Sequence, residues 1–241
     1  MTALTHAIIL AAGLGTRMRP LTNTLPKPLI PVAGTPLIDW CLDWLLAAGI
    51  DAVVVNSSYR ADQLEAHLVA RAHPRVAISR EEPEPLETGG GVRQALPLLG
   101  DQPFLAMNSD AIFPPQGRHP IAELAECWHD TLDFLMLMVP TAQAIGWHGQ
   151  GDFMVDGEGR LRRPEAGEVA PYLFSGVEII HPRVFRDAPE GTFSLSALWK
   201  ARIGADGWHQ RMRAVVHDGP WLNVGDLPGL AASEAYLAAT R

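Results

Sequence analysis

Short, wholly apolar runs alternate along this chain with stretches in which apolar positions recur every three or four residues. Residues 7–12 (AIILAA) carry no polar side chain and are stopped by Gly13 and Gly15, the pattern of a strand buried on both faces. Between Pro36 and Ala48, the side chains Leu37, Trp40, Cys41, Trp44, Leu45 and Ala48 fall at helical spacing, and Gly49 ends the stretch. The alternation continues with a strand over 52–55, a helix with a polar face over 60–71 and a strand over 76–79. A loop rich in Pro, Glu and Gly follows over 81–91, then a short helix from Val92 to about Pro97. Residues 104–107 read as another buried strand, running into Asn108-Ser109-Asp110. A helix over 121–128 and a strand over 134–139 complete a first half whose order predicts a parallel sheet covered on both faces.

The second half is less regular. Strands of a mixed sheet are expected over 149–155 and 172–180, helices over 195–203 and 229–239, and a strand over 212–216. No repeat, low-complexity tract or linker divides the chain. The expectation is one α/β domain over 1–241, with a nucleotide-type half to about residue 140 and an elaborated half from about 141.

Composition narrows the class. With 47% hydrophobic and 19% charged residues the chain is not disordered. A net charge of −8 argues against nucleic acid held on a broad basic surface. No apolar run approaches the roughly 18 residues of a membrane helix. No basic residue precedes the first apolar run, so no secretory signal is expected. Two cysteines, Cys41 and Cys127, make no disulfide framework, and both lie in amphipathic stretches where a buried thiol is expected. A soluble, cytoplasmic protein is predicted, as a monomer or small homo-oligomer.

The charge is unevenly placed. Residues 1–38 hold Arg17, Arg19 and Lys27 and no acidic residue, whereas the remainder holds 16 basic and 27 acidic residues. Chance gives such a stretch, and so does a site for a small anion. Lys27, one of two lysines, stands between Pro26 and Pro28, whose fixed φ angles stiffen its backbone.

The candidate chemistry clusters at predicted strand ends, where open α/β sheets place ligands. After the first strand, Ala11, Ala12, Gly13 and Gly15 are small enough for backbone N–H groups to approach phosphate oxygens, and Arg17 can clamp two oxygens at once. Met18 breaks the dinucleotide pattern G-x-G-x-x-G, and the G-x-x-x-x-G-K-[ST] phosphate loop is absent. The segment 84–91 (EPLETGGG) brings Glu87, Gly89 and Gly90 ahead of a helix, as a ligand loop or as a long turn. Asp110, beyond the strand over 104–107, suits either a hard divalent cation or a turn. Asp152 and Gly176 are candidate sugar contacts or turn residues. The nine histidines form no metal-binding spacing, and neither C-x-x-C nor G-x-S-x-G occurs.

Taken together, LAAGLGTRMRPLT, the PKPLIPVAGTPLI that follows, NSD at 108–110, EPLETGGG, GDF at 151–153 and FSG at 174–176 resemble the sugar-1-phosphate nucleotidyltransferases. The fused G-x-G-T-R-M-R-P-L-T…P-K-P-L is far more specific than either glycine loop alone. The resemblance implies a Rossmann-like nucleotidyltransferase fold with a mixed, mostly parallel central sheet flanked by helices, a sugar-binding second half, and Mg²⁺ as cofactor. It implies that Ala11 to Gly13 and the region from Glu87 to Gly90 hold the nucleotide. Arg17 and Lys27 would then meet the triphosphate and the sugar phosphate, Asn108, Asp152 and Gly176 the substrate, and Asp110 the metal. The pair of substrates implied is UTP and N-acetylmuramic acid α-1-phosphate. The alternatives are dTTP with glucose 1-phosphate, GTP with mannose or heptose 1-phosphate, and a sugar-nucleotide-binding module without catalysis. Two departures stand out. Where the family carries a second metal aspartate this chain has Asn223, with Asp226 three residues on; and the Glu-Lys-Pro segment is missing, leaving Arg162-Arg163-Pro164 as a substitute cation source.

Overall fold

The computed structural model describes residues 4–71, 76–116 and 118–240. Its first strand, β1 (His6–Leu10), shows why the apolar runs lack alternation: Ala7 and Ile9 pack into one core and Ile8 into another on the opposite face. The other strands of the central sheet are β2 (Ala52–Ser57), β3 (Val76–Arg80), β4 (Phe104–Asn108), β5 (Phe134–Pro140), β6 (Tyr172–Ile180) and β7 (Met212–Val216). They lie in the order β7-β5-β6-β4-β1-β2-β3. β1 pairs in parallel with β2 and β4, β2 with β3, and β5 with β7, while β6 alone runs antiparallel to its neighbours β4 and β5. Strands from both halves of the chain therefore share one sheet, mixed and mostly parallel.

Helices α1 (Leu37–Ala47), α2 (Ala61–Ala70) and α4 (Pro120–Cys127) cover the face holding Ala7, Ile9 and Leu105, while α3 (Glu87–Leu99) and α5 (Leu195–Lys200) cover the face holding Ile8, Ala106 and Met136. A third, smaller core gathers Met18, Ile30, Ile112, Leu222 and Leu237, the last from α6 (Leu227–Ala239). Met18, the residue that breaks the dinucleotide pattern, is thus an anchor of the loop after β1. A three-stranded sheet of Ala111–Ile112, Trp221–Asn223 and Ala144–Ile145 lies beside this core and pairs Asn223 with Ala111.

Several expectations are corrected. α3 begins at Glu87, so Gly89, Gly90 and Gly91 lie in its first turns and not in a loop. The Gly89 and Gly90 N–H groups donate to the Phe193 carbonyl at 2.8 and 3.0 Å, which caps the helix start. The strand expected over 149–155 shrinks to Met154–Val155, paired with Leu161–Arg162. Cys41 is buried, with its thiol pushed up by burial, but Cys127 is exposed at the end of α4.

At the sheet edge where β5 begins, Asp133 collects three arginines. Its carboxylate receives Arg183 Nε and Arg202 Nε at 2.7 Å each and lies 3.2 Å from Arg211 Nη2. Burial alone would raise its pKa; the hydrogen bonds from Arg183 and Arg202 outweigh this and hold it below the ordinary value.

Candidate active site

β1 and β4 are adjacent and parallel, so their carboxyl ends deliver residues 11–13 and 108–110 to one edge of the sheet. A cleft of about 250 Å³ opens there, lined by Ala11, Ala12 and Gly13 on one side and Asn108 and Asp110 on the other. Lys27, Glu81, Glu87 and Thr88 also face it.

Lys27 reaches the cleft because the loop after β1 is folded back on itself. Gly15 takes a left-handed backbone (φ +62°), and a Cβ there would lie 2.8 Å from Thr22 Cγ2 and 3.0 Å from Lys27 Cβ. Thr22 Oγ1 donates to the Gly15 carbonyl at 2.8 Å. Gly15 therefore sets the loop's shape and does not line the cleft, whereas Gly13 is open, with nothing within 4 Å of its Cβ position. Lys27 Nζ sits 2.6 Å from Asp110 Oδ2, and its side chain is only 13% exposed.

The loop at Ala11 is tied to the segment leading into α3 by a buried polar chain that sequence reasoning missed. Asn56 Oδ1 accepts from the Ala11 N–H at 2.5 Å, and Asn56 Nδ2 donates to Glu81 Oε1 at 2.7 Å. Glu81 Oε2 accepts from the Leu86 N–H at 2.7 Å. Burial pushes the Glu81 carboxyl up, against the opposing hydrogen bonds from Leu86 and Asn56. The polar pair Asn56-Ser57 directly after the apolar run 52–55 was the available signal. Gly91 is the residue that permits the contact: a Cβ there would meet Glu81 Oε1 at 2.3 Å.

Glu87 and Thr88 face the cleft, and Glu87 holds a left-handed backbone (φ +59°) uncommon for a residue with a side chain. Gly89 and Gly90 do not face it. A Cβ on Gly89 would lie 2.4 Å from the Phe193 ring and one on Gly90 2.4 Å from the Gly191 carbonyl, so both glycines let a neighbouring segment dock on α3. Gly176 sits in an irregularity of β6 with φ +88°, its Cβ position 2.8 Å from Asn108 Nδ2. Asp152 is occupied: Oδ2 accepts from the Phe174 N–H at 2.9 Å and Oδ1 lies 3.7 Å from Arg163. Arg162 is paired with Glu168 through both terminal nitrogens.

Arg17 is exposed, does not line the cleft and has no ion-pair partner among the described residues; a Cβ on Gly225 would lie 3.6 Å from its Nη1. Asn223 is brought next to Asp110 by its pairing with Ala111 and by the Val224 N–H donating to the Asp110 carbonyl at 3.0 Å. Its Oδ1 accepts from the Gly225 N–H at 2.8 Å. Asp226 is committed elsewhere, capping α6 by accepting from the Gly229 N–H at 2.9 Å.

The donor set fits Mg²⁺ bound together with a phosphate ligand. Asp110 offers one carboxylate at the cleft, and Mg²⁺ in nucleotide sites takes one or two carboxylates plus phosphate oxygens. Among the described residues no group of three or more His, Cys, Asp or Glu side chains could hold a metal unaided.

A mixed, mostly parallel sheet with small residues at the carboxyl ends of two adjacent parallel strands puts the cleft where open α/β sheets bind ligands, with Lys27 folded back into it from the loop after β1. The comparisons agree and go further. The nucleotidyl transferase family model matches residues 6–146, and the chain belongs to that family. It is 44% identical over 237 residues to the N-acetylmuramate alpha-1-phosphate uridylyltransferase of Caulobacter vibrioides, covering 96% of each chain. To the enzyme of the same name from Neisseria meningitidis serogroup B it is 36% identical over 244 residues, covering 97% of this chain and 98% of that one. The crystal structure of HddC from Yersinia pseudotuberculosis complexed with GMP-PN shares the fold at a TM-score of 0.77 and 19% identity, over 97% of this chain and all of that one. Among the described residues no helix is long and apolar enough to cross a membrane.

Proposed function

We propose that this chain transfers the uridylyl group of UTP to N-acetylmuramic acid α-1-phosphate, releasing pyrophosphate, as a cytoplasmic enzyme of cell-wall recycling. The observation that carries the reading is the 44% identity, sustained over nearly the full length of both chains, to a relative so named. The cleft supports it through the residues it brings together.

In the proposed reaction an oxygen of the sugar 1-phosphate attacks the α-phosphorus of UTP, and the bond to the pyrophosphate oxygen breaks. A phosphate monoester has a second pKa near 6, so the nucleophile is already largely dianionic at pH 7 and no protein base is needed. The barrier is the repulsion between two anions and their alignment. Lys27 and Arg17 answer the first, Lys27 from within the cleft and Arg17 from the loop after β1. The backbone of Ala11 to Gly13, held by Asn56, and the Glu87–Thr88 turn position the nucleotide, while Asn108 and Gly176 face the sugar side. Asp110, with Asn223 beside it, would hold Mg²⁺, which would neutralise phosphate charge there. In the free protein Lys27 and Asp110 neutralise each other, which keeps both groups at the position where phosphates arrive.

A pyrophosphate-release screen over the four ribonucleoside triphosphates, dTTP and a panel of sugar 1-phosphates tests the reading. The highest kcat/KM is expected for UTP with N-acetylmuramic acid α-1-phosphate; a preference for GTP with mannose or heptose 1-phosphate, or for dTTP with glucose 1-phosphate, contradicts it. Asn223→Asp is expected to lower the Mg²⁺ concentration that gives half-maximal rate, because one oxygen keeps the Gly225 N–H while the other adds charge beside Asp110. An unchanged requirement in a Mg²⁺ titration would remove Asn223 from the metal's surroundings.

A further inference from the structure

β6 carries a carboxyl where its pattern calls for a hydrocarbon. Phe174 and Ile180 face the core beneath α3 and α5, and Glu178 stands between them on that face, paired with Ala106 of β4 and Met136 of β5. It is 1% exposed, and its Oε2 has no hydrogen-bond partner among the described residues. The indole N–H of Trp199, from α5, is buried beside it, close enough to act on the Glu178 carboxyl but outside hydrogen-bond geometry. A buried carboxyl oxygen left unpaired is costly and calls for a reason.

Both side chains line a second chamber, of about 170 Å³, that shares Leu10, Thr88 and Asn108 with the main cleft. Gly176 lies at its margin, and Phe174 and Leu195 supply apolar wall. Burial pushes the Glu178 carboxyl up to about 8, and the Trp199 indole offsets only part of this, so at neutral pH the group is mainly the uncharged acid. An uncharged carboxyl carries an O–H donor, and the indole carries an N–H donor. Two donors over an apolar wall match a substituent with an acceptor oxygen and a methyl group.

We propose that Glu178 and Trp199 form the specificity-determining contact for the 2-acetamido group of the sugar 1-phosphate, whose carbonyl oxygen accepts from them while its methyl group packs on Phe174 and Leu195. The inference rests on the reading of this cleft as a sugar-1-phosphate site and adds the residues that select the sugar.

The test compares Glu178→Leu, Glu178→Gln and Trp199→Phe with the parent enzyme on UTP and four sugar phosphates: glucose 1-phosphate, N-acetylglucosamine 1-phosphate, N-acetylmuramic acid α-1-phosphate and its 2-amino counterpart lacking the acetyl group. Glu178→Leu is expected to lower kcat/KM for the N-acetylated sugars by about 10–100-fold, chiefly through KM, with KM for UTP changed less than about 3-fold. Its melting temperature should not fall, since an unpaired buried carboxyl is replaced by a hydrocarbon. Glu178→Gln keeps a donor and should retain most of the selectivity. Trp199→Phe keeps the ring, loses the N–H, and should give a smaller loss of the same kind. Equal losses with acetylated and unacetylated sugars, no loss in either Glu178→Leu or Trp199→Phe, or a loss that follows the lactyl group and not the acetyl group overturns the inference. The two readings fail separately: a wrong substrate assignment appears in the parent enzyme's own preferences, whereas a wrong role for Glu178 leaves those preferences intact in the variants.

Discussion

Lys27→Ala is expected to lower turnover by about 10²-fold or more, the loss typical of removing one donor that stabilises charge in a transition state. Lys27 is the cation placed inside the cleft, 2.6 Å from the Asp110 carboxylate. Without it the reacting phosphates lose a positive charge, and Asp110 is left as an unpaired, partly buried carboxylate facing incoming anions. Both effects act on the same step, so kcat should fall along with kcat/KM. Lys27→Arg should not restore the rate in full, because Pro26, Pro28 and the contact with Gly15 confine the stem while the guanidinium is wider than the ammonium. Arg17→Ala is expected to cost about 10²-fold as well. Steady-state kinetics at saturating Mg²⁺ decide both, and near-parental rates in either variant would strip that residue of its role.

The second large effect is on stability. Asp133→Ala removes one carboxylate from three arginines, and breaking a buried ion pair from one side typically costs 3–5 kcal/mol. Here the arginines are 18–53% exposed and can rehydrate, which puts the expected loss at the lower end, about 3 kcal/mol. For a chain of this size that is roughly 6–12 °C in melting temperature. Because the native pKa of Asp133 is depressed, its contribution is present at neutral pH and lost as the pH falls through that lowered value. Asp133 lies at the start of β5, on the sheet edge away from the cleft, so kcat of the folded fraction should be unchanged. Thermal unfolding at pH 7 with activity assayed below the transition separates the two.

Much of this was legible in the residues. The unbroken apolar runs announced buried parallel strands, and the strand over 172–180 and the strand over 212–216 have the bounds expected of them. Placing ligand residues at strand ends put residues 11–13, Asn108 and Asp110 on one edge. What pattern could not supply was adjacency. Lys27 and Asp110 are 83 positions apart, and only the pairing of β1 with β4 brings their loops together. The glycines misled because glycine in a sequence usually signals a loop, whereas Gly89 and Gly90 serve the tertiary contact with Phe193 and Gly191. Gly15 likewise shapes a loop instead of touching the cleft. Glu178 was hidden for the opposite reason: one carboxyl inside an apolar strand shows its meaning only when the chamber beside it is seen.

The central claim is that the edge formed by β1 and β4 is where nucleotide phosphates are bound and neutralised. A crystal structure with Mg²⁺ and a non-hydrolysable UTP analogue measures this most directly. The account predicts phosphates seated against the backbone of Ala11 to Gly13, Lys27 Nζ moved from Asp110 onto a phosphate oxygen, and Asp110 turned to the metal. Nucleotide bound elsewhere, with Lys27 still paired to Asp110 and Arg17 directed into solvent, would contradict it.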